Sequence, residues 1–155
     1  MMNFSVMFLS NLHKIDRYFL PAVFFAALDR FLKCLAVRQA EFGLIGDFFK
    51  FSFAENRYIA FSLPLNGVFL NILILAILLS LLYYFLNLIK KDRPREAGLI
   101  LILIFGAASN LFDRLKYGFV IDYLDLRYFT VFNIADILIV GSVGLLIFFT
   151  FKKES

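Results

Sequence analysis

GAASNLFDRLKYGFVIDYLDLRYFTVFNIAD, residues Gly106 to Asp136, sits between two long apolar runs and carries Asp113, Arg114, Asp122, Asp125 and Asp136. Ionisable groups at the margin of an apolar span are costly to desolvate, so they mark either a functional site or a tight internal pair. The carboxylates here outnumber what one ion pair with Arg114 accounts for. This stretch therefore decides both where the chain leaves the apolar medium and where its chemistry sits.

The flanking sequence sets the class. Of 155 residues, 62% are hydrophobic, against about 45–50% in an ordinary soluble domain. Mean hydropathy is +0.84, and 22 Phe and 7 Tyr occur with no Trp. These features predict one all-α, polytopic membrane domain spanning 1–155. Four transmembrane helices are expected, at about 18–37, 65–89, 97–112 and 133–151, with exposed segments at 38–63 and 115–132. Met1 to Leu12, interrupted by Asn3 and Asn11, reads as a short interfacial segment. No small-x-small site follows an apolar region with suitable flanks, so a cleaved leader is not expected.

Asp29 and Lys33 stand four residues apart in the first span and share a helix face. They form either an interfacial salt bridge at the helix end or a polar contact facing a cavity. In the first exposed segment, Phe49, Phe51 and Phe53 alternate with Lys50, Ser52 and Ala54. Period two predicts a strand with one apolar face. Glu55, Asn56 and Arg57 read as a turn and Tyr58 to Leu63 as a return strand. Tyr117, Phe119 and Ile121 alternate in the same way before Asp122. A small extracytoplasmic β-sheet follows, its aromatic face laid on the bilayer. The third span is short, with Gly106, Ala107, Ala108 and Ser109 permitting close helix packing, and it ends in Asn110, Asp113 and Arg114.

Four spans place both termini on one side. Lysines and arginines are equally shared between the two sides, so clustering decides. Lys90, Lys91, Arg93 and Arg95 crowd one short loop and Lys152 and Lys153 close the last span, which assigns that side to the cytoplasm. Asp122 and Asp136 then face outward. The same distribution argues against nucleic-acid binding despite a net charge of +4 and a pI near 9.3. Cys34 and His13 are each the only residue of their type. That excludes an internal disulfide, a Cys-based metal cluster and a multi-histidine metal site, and no cofactor is expected.

Asn133 is a good N-cap for the fourth helix, and Asp136 lies three residues on, where the helix N-terminus favours negative charge. Asp122 follows a strand-like run able to fold back over that helix start. Two carboxylates in contact share one proton near neutral pH, because each raises the pKa of the other. Such a pair suits peptide hydrolysis, one member taking a proton from water and the other supplying one to the carbonyl oxygen. Aspartate pairs also serve proton relays and cation sites. Asp113–Arg114 and Asp125–Arg127 read as structural ion pairs, with Lys33 a further candidate, and Ser109 as a packing residue.

The chain resembles signal peptidase II, the lipoprotein signal peptidase family of bacteria. The resemblance rests on G-A-A-S-N-L-F-D-R (Gly106 to Arg114), G-F-V-I-D-Y-L-D (Gly118 to Asp125) and F-N-I-A-D (Phe132 to Asp136). L-D-R-F-L-K (Leu28 to Lys33) and N-R-Y-I-A-F-S (Asn56 to Ser62) add weaker support. It implies that Asp122 and Asp136 are a catalytic dyad, that Asn110, Arg114 and Asn133 shape the site, and that Asp29 and Asn56 line it. The implied substrate is a diacylglyceryl-modified prolipoprotein, cleaved just before the lipidated Cys. The implied setting is the outer face of the bacterial cytoplasmic membrane, with membrane lipid around the site and inhibition by globomycin-type cyclic peptides. The first exposed segment corresponds to the family's β-cradle. The family usually has Gly at the positions of Tyr58, Ser109 and Phe105 and Ser or Thr at that of Leu32; a bulky Tyr58 would narrow the substrate cleft. A small ion- or proton-conducting protein would want its carboxylates near mid-membrane. A catalytically inactive lipoprotein-binding relative would not need both aspartates.

Overall fold

The computed structural model describes residues 14–57 and 67–154. Helix α1 (Asp16–Val37) is followed by strands β1 (Phe42–Ile45) and β2 (Phe49–Asn56), then helices α2 (Gly67–Lys90) and α3 (Pro94–Tyr117). Strands β3 (Val120–Leu126) and β4 (Val131–Phe132) lead into α4 (Ile134–Glu154). The expected interfacial segment at Met1 to Leu12, the return strand at Tyr58 to Leu63 and the effect of Tyr58 on the cleft lie outside the described residues.

Among the described residues, three helices are long and apolar enough to cross a membrane: α2, α3 and Ile134–Lys152 of α4. Helix α3 is the central one. Half of its apolar window is buried, against 11% in α2 and in α4. Most large apolar side chains of α2 and α4 stay exposed, among them Val68, Phe69, Tyr83, Val140 and Phe151. Left exposed among the described residues, these side chains form a broad apolar face of the kind a helix turns to lipid.

Helix α3, at Pro94–Tyr117, runs beyond both ends of the third span expected at 97–112. It begins with Pro94 in its first turn, where the missing N–H costs nothing. It ends at Gly118, which takes the left-handed conformation at φ 82° and donates to the Arg114 carbonyl at 3.1 Å. Asn110, Asp113 and Arg114 thus lie inside the helix. Polarity does not end α3 there because side chains of α1 meet it. Gly106 permits a close approach to α4: a Cβ there would lie 2.7 Å from the Ala135 carbonyl oxygen, so only hydrogen lets α3 rest on the first turn of α4.

The two exposed segments form one antiparallel sheet in the order β1-β2-β3-β4. Strands β2 and β3, separated by two helices in sequence, pair from Phe49 opposite Leu126 to Asn56 opposite Val120. One extra residue on β2 between Phe51 and Ala54 resets the register, so that Ala54 faces Asp122. Several expectations change. The second strand starts at Val120, because Tyr117 closes α3. Glu55 and Asn56 belong to β2, and β1 and β4 are additional. The aromatic face of β2 does not simply lie outward: Phe51 is buried, stacked on Phe42 with ring centroids 4.9 Å apart and set 5.3 Å from the Tyr123 ring. It packs against α1 at Ala36.

Candidate active site

The site is built outward from Asn133, the residue before α4. Its Oδ1 accepts the Asp136 backbone N–H at 2.9 Å, and its own N–H reaches Asp136 Oδ2 at 3.3 Å. This reciprocal pair is a capping box with aspartate as the third helical residue. It folds the Asp136 carboxylate back over the helix start. The same Asn133 side chain donates from Nδ2 to Asp122 Oδ1 at 2.6 Å. One asparagine therefore holds both aspartates.

Each carboxylate has a second donor. Asn56 Nδ2 donates to Asp122 Oδ2 at 2.9 Å, a reach set by the register reset that puts Ala54 and Asn56 on the Asp122 side of β2. Asn110 Nδ2, from α3, donates to Asp136 Oδ1 at 2.7 Å. Arg114, half-buried, is coupled most strongly to Asp136, then to Asp122 and Asp113. Strand β3, helix α3 and the start of α4 thus deliver their polar groups to one place. Asp122 is 2% exposed. Burial, and next the neighbouring Asp136 charge, push its pKa from the ordinary 3.8 up to about 6, against the opposing pull of Asn56 and Asn133.

Beneath the two aspartates lies a second polar layer. Lys33 is buried; it donates to Asn110 Oδ1 at 2.8 Å and forms ion pairs with Asp113 Oδ2 at 2.7 Å and Asp29 Oδ2 at 3.1 Å. Arg30 Nη1 reaches Asp113 Oδ1 at 2.7 Å. Asp29 also accepts from Ser109 Oγ at 2.6 Å, Tyr123 OH at 2.9 Å and the Ala135 N–H at 3.3 Å. Two cations thus face two fully buried carboxylates, and Asn110 carries the layer up to Asp136.

The expected Asp29–Lys33 pair is present, but buried among three helices rather than at an interface. Asp29 supports the start of α4 from below. Asp113 forms its close ion pairs with Arg30 and Lys33, and its neighbour Arg114 adds a Coulomb attraction. Asp125 meets Ser52 Oγ at 3.5 Å, and no ion pair joins it to Arg127 among the described residues. The Arg127 N–H binds the Phe48 carbonyl at 2.9 Å, which turns the chain away at the end of β3. Ser109 packs between helices as expected and adds its bond to Asp29. Arg30 and Tyr123 were not anticipated. Arg30 had a local signal in its place beside Asp29; Tyr123 had none beyond a polar head inside a strand.

A separate cleft of about 400 Å³ opens at the other end of the sheet, lined by Asp47, Lys50, Asp125 and Arg127. It holds neither Asp122 nor Asp136, and Lys50 and Asp47 pair at 2.9 Å within it. Among the described residues, no group of three or more His, Cys, Asp or Glu side chains is arranged to hold a metal ion.

The family model for signal peptidase (SPase) II matches residues 21–152. A lipoprotein signal peptidase of Clostridium tetani is 38% identical over 144 residues, covering 82% of this chain and 87% of the relative. One of Clostridioides difficile is 36% identical over 146 residues, covering 88% and 97%. A bacterial membrane enzyme solved by the in meso method at 2.3 Å aligns with a TM-score of 0.80 at 28% identity, over 90% of each chain. A second, at 1.9 Å, aligns with 0.72 at 27% identity, over 86% of this chain and 91% of the other. Family match, curated relatives and shared architecture agree over most of the length: the chain belongs to the signal peptidase II family.

Proposed function

We propose that this protein is a membrane aspartic endopeptidase that removes the signal peptide from diacylglyceryl-modified prolipoproteins, cutting just before the lipidated Cys. Asp122 and Asp136 are its catalytic pair. The observation that carries this reading is the shared hold of Asn133, whose side chain donates to Asp122 at 2.6 Å and caps the turn bearing Asp136. Two carboxylates, Asp122 buried and Asp136 half-buried, fixed to one amide act as a unit.

Asp136, at a helix N-terminus, is suited to carry the negative charge and take a proton from water. Asp122, its pKa raised to about 6, takes up a proton for the carbonyl oxygen more readily than an ordinary carboxylate, and a substrate that excludes water strengthens that tendency. Asp136 then passes the proton it took from water to the leaving amine, and a hydroxyl of the tetrahedral intermediate returns its proton to Asp122 as the carbonyl re-forms and the C–N bond breaks. Arg114 offsets the developing negative charge, Asn110 and Asn133 fix the carboxylate orientations, and Asn56 secures Asp122 from the sheet. Asp29 acts from below through the α4 turn.

The whole chain forms one domain with four spans. Helix α1 has 22 residues, about 33 Å at 1.5 Å per residue, enough to cross the apolar layer. Its charged residues Asp29, Arg30 and Lys33 find partners on α3, so they need not meet lipid. Four crossings put both termini in the cytoplasm beside the basic loop between α2 and α3, and the site at the outer face of the bacterial cytoplasmic membrane. There the diacylglyceryl group stays in lipid, each methylene contributing roughly 0.8 kcal/mol to anchoring, and holds the scissile bond at the depth of the α4 start. Globomycin-type cyclic peptides inhibit the cleavage.

The test is cleavage of a lipidated prolipoprotein by wild type, Asp122→Asn and Asp136→Asn. Each substitution abolishes turnover while the protein still inserts and purifies as a folded species. Undiminished cleavage by either variant rejects the pair.

A further inference from the structure

Tyr123 follows Asp122 in β3, so the two side chains leave opposite faces of the strand. Asp122 turns to Asn133 and Asn56. Tyr123, fully buried, reaches under the start of α4, where its hydroxyl accepts the Ile134 N–H at 3.1 Å and donates to Asp29 Oδ1 at 2.9 Å. The first N–H groups of a helix have no partner within it. Here three side chains from three places supply them: Tyr123 for Ile134, Asp29 for Ala135 and Asn133 for Asp136. Strand β3 thus grips the first turn of α4 from both faces.

We infer that Tyr123 is a positioning residue for peptide cleavage, its hydroxyl fastening the strand that bears Asp122 to the helical turn that bears Asp136. This rests on the proposed carboxylate pair. The ring alone does not do it. Phenylalanine would keep the packing against Phe51 and Ala36 but leave the Ile134 N–H without its acceptor. Asp29 would retain Ser109, Lys33 and the Ala135 N–H. Of the hydrogen bonds that hold the turn bearing Asp136, those of Asn133, Asn110 and Asp29 would remain. Charged groups around it are Asp29, Arg30 and Lys33 on α1, Asp113 and Arg114 on α3, and Asp122 on β3. Small displacements of reacting groups cost large factors in rate, up to about a hundredfold per ångström.

The experiment compares full-length wild type, Tyr123→Phe and Asp122→Asn on a diacylglyceryl prolipoprotein in nanodiscs. For Tyr123→Phe, kcat falls about tenfold with KM within about twofold. Its pH profile also moves to lower pH as Asp136 loosens from Asp122. A kcat loss below about fivefold, a loss carried by KM alone or an unmoved pH profile overturns the inference while leaving the pair intact. Cleavage by Asp122→Asn at the wild-type rate removes the pair, and the inference with it. Hydrogen exchange in the wild type gives a reading that does not depend on the variant folding. Protection of the Ile134 and Ala135 amides supports the clamp; exchange as fast as at an uncapped helix start overturns it.

Discussion

Replacing Asn133 with Ser separates the two tasks of that residue. A serine hydroxyl caps a helix about as well as asparagine, so the Asp136 N–H keeps an acceptor. The shorter side chain cannot reach Asp122, and the 2.6 Å bond from Nδ2 is lost. A hydrogen bond to a buried charged group contributes about 1.5–3 kcal/mol. At 1.36 kcal/mol per pH unit, its loss moves the Asp122 titration up by about one to two pH units from its value near 6. The wild-type bond favours the ionised form, so removing it costs most where Asp122 is charged and least where it is protonated. The stability gap between wild type and Asn133→Ser therefore widens as pH rises from about 5 to 8. Asn133→Ala shows the same pH dependence plus about 1 kcal/mol for the missing cap at every pH.

Turnover should fall more steeply than stability, because Asp122 keeps only Asn56 to orient it. A tenfold to hundredfold loss of kcat is expected, on the order of the cost of misplacing a reacting group. The assays are cleavage of a lipidated prolipoprotein across pH and thermal unfolding of the same samples. Wild-type kcat in the serine variant, with an unmoved pH profile, would show that the Asn133 amide does not govern the pair. Equal melting temperatures for serine and alanine would refute the capping argument separately.

Three further outcomes follow from the same geometry. Because the folded pKa of Asp122 is about 6 against 3.8 ordinarily, ionising it in the fold costs up to about 3 kcal/mol. Asp122→Asn should accordingly gain stability relative to wild type as pH rises from about 4 to 7, less what it loses at Asn133 and Asn56, and show no such trend if the carboxylate titrates normally. Gly106→Ala puts a methyl 2.7 Å from the Ala135 carbonyl oxygen and should cost about 1–3 kcal/mol by overpacking, whereas Gly141→Ala, with nothing within 4 Å, should be neutral or stabilising in the same melting assay. Lys33→Met strands Asp29 and Asp113 with Arg30 alone, a cost of about 3–5 kcal/mol, so folded yield and melting temperature should both drop sharply; an unchanged melting curve would contradict the buried ion cluster.

What could be read from the chain beforehand divides along sequence distance. Asn133 and Asp136 were legible because capping acts over three residues, and the membrane class because composition needs no geometry. The Asp29–Lys33 pair was legible for the same reason, as an i,i+4 contact. Its burial was not, since that depends on Ser109, Asn110 and Asp113, about 80 residues away. The boundary of α3 failed for the same cause. A charged or amide side chain after an apolar run signals either the end of a span or a partner on another helix, and local pattern cannot distinguish the two. In α3 the partners exist: Lys33 and Arg30 on α1 take Asp113, and Lys33 takes Asn110. The helix therefore continues to Gly118, and the turns read as its exit carry Asn110 and Arg114 to the carboxylates. The β2–β3 pairing, hidden by the two helices between its strands, sets Ala54 opposite Asp122 by one inserted residue and so brings the Asn56 side chain within reach of that carboxylate. Polar residues within the apolar chain thus do two jobs at once. They hold helices together where water is absent, and they end in the one place where Asp122 and Asp136 stand side by side on Asn133.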